Sequence, residues 1–498
     1  MSSAKKASII SYISVAFYIV TGFLYTPYLV QTLGVSDYGL YALSASLIGY
    51  FSLDFGIGAA QTRLTAKFIA EGRADRIRDM LGITIKMYTL IDLIILIILL
   101  CIYVNIEEIF TNISGDDIEK FKKVFLVTSL FVLINFPLLP IKGLYQAFDR
   151  VVEITTIDLI YRVISIILLF GALYLGWGLW GVVLINTSCN IIFQFIRLWY
   201  LYHKESLAIN VKAKDKDIIK FIFSFSSWAT VAMIADKFFF GIIPFLLAVF
   251  STTKEVAYFA IVISLEGYIL SLSKALSGIF LPRIMKMVVL NQDSEQITDL
   301  MIRVGRVQLY IVGIIIIGAI SLGKEFIYHW LGSGFDKSYY CIVLVLIPCL
   351  FHLTQTIAEE MIYATNNVKY RAIANIIGSL LCVSSIILIT PSYGAYGAAI
   401  GVFLSFTIAH NLIIDVIYQK KMRIDFLHFL RSCHFKILPV LLLAGVIGML
   451  MQNYIPTPSF ISFIIKGGVW CCLTIGLLWV FAFNSEEKNM IVQMSRIL

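Results

Sequence analysis

Charge is what this sequence has least of. Asp, Glu, Lys and Arg together make up 14% of its 498 residues, where a soluble domain carries about 25%. A soluble chain of this length would form two or three domains, and the polar side chains needed to clothe them are not there. Long polar stretches are equally scarce, and no soluble domain interrupts the apolar runs. The motifs of chemistry are missing as well. There is no Walker A sequence, so the chain does not itself hydrolyse ATP, and no GxSxG, HExxH or Rossmann fingerprint. The eight cysteines include no CxxC, and no histidine stands beside them at metal-ligand spacing, so they read as small buried hydrophobes. No catalytic residue, metal site or cofactor is expected, and the chain does not read as an enzyme. The net charge of +8 does not point to nucleic acid, because no basic block is interleaved with exposed aromatics.

What the sequence has instead is apolar length. Hydrophobic residues make up 59% of the chain and the mean hydropathy is +0.89. The surplus is cut into runs of about 20 residues, which is what a helix needs to cross a ~30 Å hydrocarbon core. Spans are expected at 9–32, 39–60, 81–104, 124–144, 155–175, 179–201, 221–249, 256–281, 304–322, 339–361, 371–390, 394–417, 436–453 and 461–483. The fold class is therefore an all-α integral membrane protein of about 14 transmembrane helices. The first run is too long for a signal peptide and lacks a small-residue cleavage site, so it reads as a retained helix. The seventh is overlong and contains Asp236, Lys237 and Pro244, and is expected to be tilted or broken. With a cytoplasmic N-terminus, the inner segments collect about 27 Lys and Arg and the outer ones about 6. Both termini are accordingly expected in the cytoplasm.

The runs repeat at an offset of about 217 residues. Ser36-Asp-Tyr-Gly-Leu-Tyr41 opens span 2 and Thr253-Lys-Glu-Val-Ala-Tyr258 opens span 8. Gly176-Trp-Gly178-Leu-Trp-Gly181 joins spans 5 and 6 as Tyr393-Gly394-Ala-Tyr-Gly397 joins spans 11 and 12. Leu144-Tyr145-Gln-Ala likewise matches Ile362-Tyr363-Ala. Two like-oriented six-helix bundles follow, residues 1–218 and 219–435, with two extra helices and a cytoplasmic tail in 436–498. Two such bundles facing one another suit a transporter that opens a central cavity to either side by rocking.

Ionisable groups inside the spans cost about 2.5–3.5 kcal/mol each on insertion scales and so face protein or water. Asp158 and Arg162 lie four residues apart, on one helical face, where they could pair. Lys86, Arg197, Glu359, Glu360 and Asp415 stand near span ends and read as reaching back to the interface. Arg162, Asp236, Lys237, Glu266 and Lys274 stand too deep for that and are expected to face a cavity. Arg and Lys there would suit a phosphate or pyrophosphate, and Asp54, Asp158, Asp236 and Glu266 a coupling cation or proton.

Several stretches together resemble the polysaccharide-biosynthesis, O-antigen-type flippases of the multidrug/oligosaccharidyl-lipid/polysaccharide exporter superfamily. They are Leu33-Gly-Val-Ser-Asp-Tyr-Gly39, Leu53-Asp54-Phe-Gly56-Ile-Gly58-Ala-Ala-Gln-Thr-Arg63, Gly143-Leu-Tyr-Gln-Ala-Phe-Asp-Arg150, Gly178-Leu-Trp-Gly181, Gly394-Ala-Tyr-Gly397 and the pair Asp236-Lys237. Lys254-Glu255-Val-Ala departs from the first-half pattern Asp37-Tyr-Gly-Leu. The resemblance implies a bacterial plasma-membrane protein that moves a polyprenyl-pyrophosphate-linked oligosaccharide from the inner to the outer leaflet, driven by an ion gradient. It implies a cationic cavity, to which Arg162, Lys237 and Lys274 correspond. Its partners would be the lipid-linked oligosaccharide, membrane lipids, and the glycan polymerase and chain-length machinery. A drug or small-solute antiporter of the same superfamily is one alternative. The other, a membrane polysaccharide polymerase or glycosyltransferase, would need larger outer loops than this chain has.

Overall fold

A computed structural model describes residues 3–113, 115–224, 241–278, 294–365 and 367–489, with residues 230, 233, 234 and 287 between them. The described residues are helical throughout their regular structure and contain no strand. Eleven helices among them are long and apolar enough to cross a membrane, or 12 if one bent pair is a single span. Hydrocarbon offers the backbone no hydrogen-bond partner, and a helix satisfies its own N–H and C=O groups, so apolar runs of this length fold this way. The chain is a multi-pass membrane protein.

By packing, the chain divides into two compact units, Met1–Ala260 with Ile386–Gly394, and Ile261–Ser385 with Ala395–Leu498. In the first unit, α1 (Ser3–Phe51) runs through the first two expected spans, and Gly34 (φ 77°, ψ 167°) is the non-helical point between them. Only glycine takes that conformation without a Cβ clash. Residues 52–56 are unwound before α2 (Ile57–Ala70) resumes. Then come α3 (Ala74–Val104), α4 (Gly115–Asn135), α5 (Ile141–Ala147), α6 (Val151–Tyr174) and α7 (Gly178–Glu205). The α6 helix packs on α7 and α1, α4 packs on α1, α3 and α7, and α2 packs on α3 and α5. Much of span 7 lies outside the described residues, which resume at α8 (Ile243–Phe250), followed by α9 (Thr253–Gly278).

The second unit takes in the greater part of α9, then α10 (Ser294–Ser321), α11 (Gly323–Leu331), α12 (Asp336–His352), α13 (Thr356–Ala364) and most of α14 (Val368–Tyr393). The next span is α15 (Ala395–Ser405) and α16 (Ile414–Lys421), with π-helical Phe406–Ile413 between them. Two further helices, α17 (Phe426–Ser432) and α18 (His434–Tyr454), lead to α19 (Phe460–Phe481). The last two apolar helices belong to this unit: α18 packs on α10 and on α19. Lys466 of α19, only 4% exposed, is held by Glu325 at 2.6 Å and by the Ile455 carbonyl at 2.7 Å.

Two helix breaks lie 217 residues apart. Between α4 and α5 the chain turns through a 3-10 segment, Phe136–Leu138, which holds Pro137 and is followed by Pro140; proline can neither donate an N–H nor continue a helix. Between α12 and α13 it bends by 66°, starting at Leu353, 217 residues after Phe136. The same interval separates Ser36 from Thr253, whose hydroxyls meet at 2.7 Å. Next to that contact, a Cβ on Gly39 would lie 2.0 Å from the Thr253 carbonyl oxygen. Only glycine allows the two backbones to come so close.

Candidate functional site

In the first unit the intramembrane charges gather around Asp158. Lys142 reaches its Oδ2 at 3.1 Å and Arg197 its Oδ1 at 2.6 Å. Arg197, expected to reach the interface, is instead buried at 4% exposure, where its guanidinium would be costly without a partner. It also donates to Gln194 Oε1 at 2.9 Å, whose amide donates to Asn135 at 2.9 Å. Tyr161 lies under its guanidinium with the ring centroid 5.6 Å away, and Tyr145 donates to its carbonyl at 2.9 Å. Asp158 therefore pairs across helices, with α5 and α7, rather than with Arg162 one turn away. Arg162 sits over the Tyr18 ring at 5.0 Å, a cation–π contact. One carboxylate and two paired cations leave this cluster with a net positive charge.

Asp54 is not on a helix. It lies in the unwound stretch between α1 and α2, where Phe55 (φ 51°) and Gly56 (φ 70°) both take left-handed backbone. Asp54 Oδ1 accepts the Gly56 N–H at 3.0 Å, and the freed Phe55 carbonyl accepts from Thr230 at 2.5 Å. Unwound backbone at membrane depth occurs where protein or a water-filled cavity can satisfy it, and half-helix ends of this kind form ion and substrate sites in transporters.

In the second unit the charges gather around Lys274, which is exposed. It acts electrostatically on Glu266, Glu359, Glu360 and His352. Glu266 is buried at 6% exposure. Glu359, expected to reach the interface, is in an ion pair with Arg371. His352 closes α12 at the bend, and its ring meets that of His410 with centroids 5.2 Å apart. His410 belongs to the π-helical turn, a feature that recurs at functional sites. Beside them Gln308 bonds Ser273 at 3.2 Å and Thr356 at 2.7 Å, tying α10 to α9 and α13.

The sequence-identified residues thus fall into separate places. Asp54, Asp158 and Arg162 lie in the first unit, and Glu266 and Lys274 lie in the second. Asp236 and Lys237 lie outside the described residues. Arg371, Lys142 and the uncharged relay Gln194–Asn135 were not identified from sequence. The available signal was amide side chains within apolar runs, since Asn135, Gln194 and Gln308 are all buried and bonded. Among the described residues, no group of three His, Cys, Asp or Glu side chains could hold a metal ion.

Known proteins share this architecture. A solved structure of the lipid II flippase MurJ, in an inward closed conformation, matches with a TM-score of 0.70 at 16% identity, over 95% of this chain and 98% of that one. An inward-facing multidrug-resistance MATE family transporter of the MOP superfamily matches at 0.62 and 14% identity, over 86% of this chain and 99% of that one. A eukaryotic MATE transporter, AtDTX14, matches at 0.56 and 15% identity, over 86% and 98%. At these identities the likeness is one of fold. No curated protein sequence matches the chain. The family model for polysaccharide biosynthesis proteins matches residues 4–288. That match spans more than half of the sequence, and the chain belongs to the polysaccharide biosynthesis protein family.

Proposed function

We propose that this protein is a flippase that moves a polyprenyl-pyrophosphate-linked oligosaccharide across the plasma membrane of a bacterium, from the inner to the outer leaflet. The observation that carries the reading is family membership through residues 4–288, joined to a fold like that of a lipid II flippase. The intramembrane cations suit the cargo. Arg162, Lys237 and Lys274 would meet the pyrophosphate, since Arg and Lys are the usual partners of phosphate oxygens. Asp54, Asp158, Asp236 and Glu266 would serve a coupling ion or proton.

The layout proposed with this reading is 14 spans, as two like-oriented sets of six and a final pair, with both termini cytoplasmic. Alternating access between the sets would pass the sugars through a polar cavity while the polyprenyl tail stays in lipid. The protein changes no bond in its cargo, which agrees with a sequence without catalytic motifs. A glycan polymerase and its chain-length partners would take the flipped lipid. The second reading, a drug or cation antiporter, is favoured by the MATE likeness. Depletion of the protein in its host separates the two. The flippase reading expects lipid-linked oligosaccharide to build up on the cytoplasmic leaflet with loss of surface polysaccharide. Unchanged surface polysaccharide with raised retention of a cationic drug would establish the antiporter instead.

A further inference from the structure

We propose that a groove between α3 and α7 holds an acyl chain of an anionic phospholipid, whose headgroup meets Arg78 and Lys212 at the inner end. This lipid is a resident of the fold and not cargo, so the proposal is independent of the flippase reading. The groove lies within the first unit. Both helices pack on α4 but make little contact with one another, and the gap left between them has a volume of about 560 Å³. Ligand sites commonly measure about 300–1,000 Å³. Leu81 and Ile85 of α3, Leu144 of α5, and Phe195 and Trp199 of α7 line it, together with Ile209 of the segment after α7.

That segment closes the inner end. The Asn210 N–H donates to the Arg78 carbonyl at 3.1 Å, its side-chain amide donates to Asp79 at 2.7 Å, and Lys86 donates to the Ala213 carbonyl at 2.5 Å. Gly82 permits the approach, since a Cβ there would lie 1.8 Å from the Asn210 carbonyl oxygen. The groove opens along α7, where Phe195 and Trp199 continue an exposed apolar face with Ile192. In a chain that spans a membrane such a face borders hydrocarbon. A void open to hydrocarbon fills with a lipid chain, because an empty one would deprive its lining of contacts.

The inner end selects the headgroup. Trp199 stacks on His203 with centroids 5.7 Å apart, an amphipathic pair suited to the membrane interface. The groove therefore runs from headgroup level into the hydrocarbon. Arg78 stands three residues before Leu81 and seven before Ile85, hence on the same face of α3, and Lys212 belongs to the closing segment. Both are exposed. The acids Asp79 and Asp215 beside them are engaged, one by Asn210 and the other by Arg76. Exposed cations next to an apolar chain site suit an anionic lipid, which in the proposed topology belongs to the inner leaflet.

The test is lipid binding to the delipidated full-length protein in detergent, read as quenching of tryptophan fluorescence by phosphatidylglycerol brominated on its chains. Phosphatidylcholine with the same brominated chains is the comparison. Trp199→Phe keeps an aromatic wall and separates quenching in the groove from that of the other tryptophans. Saturable quenching by phosphatidylglycerol should be lost in Trp199→Phe and should weaken as salt is raised. Arg78→Gln should raise the half-saturating concentration about five-fold, and phosphatidylcholine should need about ten-fold more than phosphatidylglycerol. Equal binding of the two headgroups overturns the proposal, as does saturable quenching that persists in Trp199→Phe or binding unchanged in Arg78→Gln. Unbrominated polyprenyl diphosphate should fail to displace phosphatidylglycerol at equal concentration. Displacement would give the groove to the tail of the cargo and overturn the proposal as well.

Discussion

Ser36 and Thr253, 217 residues apart, bring their hydroxyl oxygens within 2.7 Å of one another, and both hydroxyls lie within hydrogen-bond reach of the same oxygen of Asp117. They lie at the start of α9 and in the second half of α1. Lys120 fastens the neighbouring Asp37 at 2.8 Å. In the proposed topology this contact lies on the extracytoplasmic side and must part for cargo to leave. A Ser36→Cys/Thr253→Cys variant should therefore form a disulfide under mild oxidation, since its sulfurs would start within bonding reach. Oxidation should stop transport and reductant should restore it. Oxidised protein that still transports at the parental rate would contradict this role for the contact.

Gly39 makes the same contact possible from the backbone side. Gly39→Ala would set a methyl group against the Thr253 carbonyl oxygen, a main-chain atom that cannot rotate away. The cost should be about 1–3 kcal/mol, read as a lowered thermal unfolding midpoint in detergent. Gly49→Ala, where a Cβ meets nothing within 4 Å, is the control and should leave the midpoint unchanged.

Arg197→Gln should destabilise the first unit by about 1–3 kcal/mol, because it removes one partner of the ion pair with Asp158 and breaks the bond to Gln194. Lys142 would still hold Asp158. Adding Asp158→Asn should then recover part of the loss, and a double-mutant cycle in thermal stability measures how much. Strictly additive losses would mean that the pair is not coupled.

Past the last span, Glu487 is bound by Arg306 at 2.6 and 2.8 Å, and Tyr310 donates to it at 3.0 Å. Phe483 stacks on Tyr310 with centroids 4.3 Å apart. Burial alone would raise the carboxyl of Glu487, but the bonds from Arg306, Asn484 and Tyr310 outweigh it and hold it below the ordinary 4.5. A lowered carboxyl stabilises the folded state above the ordinary value and loses that contribution as pH falls through 4.5 towards the depressed value. Hydrogen exchange in residues 482–489 should therefore accelerate as pH is brought below about 4.5, after correction for intrinsic exchange. Glu487→Gln should exchange fast at all pH values. A segment whose protection is equal in parent and variant would contradict this role for Glu487.

The sequence made the helices legible because their signal, apolar length, is local. The breaks were not legible: the expected span 124–144 runs through Pro137 and Pro140, where the chain turns. The unwound residues 52–56 sit in an otherwise apolar stretch, and no local rule requires Phe55 to take positive φ. Side-chain partnerships depend on packing. The four-residue spacing of Asp158 and Arg162 permits a pair, but Arg197 and Lys142 arrive from other helices and take the carboxylate. Glu359 stands near a span end, from which a long side chain can reach water, yet Arg371 of the following helix captures it.

The most direct test is leaflet translocation by the purified protein in liposomes. A polyprenyl-diphosphate oligosaccharide carrying a fluorescent sugar is placed on both leaflets, and a membrane-impermeant quencher reads the exposed fraction. With an ion gradient applied, the account predicts that quenching proceeds past the half that starts outside, and that it slows when excess unlabelled lipid-linked sugar competes. Quenching that stops at half in liposomes containing folded protein, with or without a gradient, would contradict it.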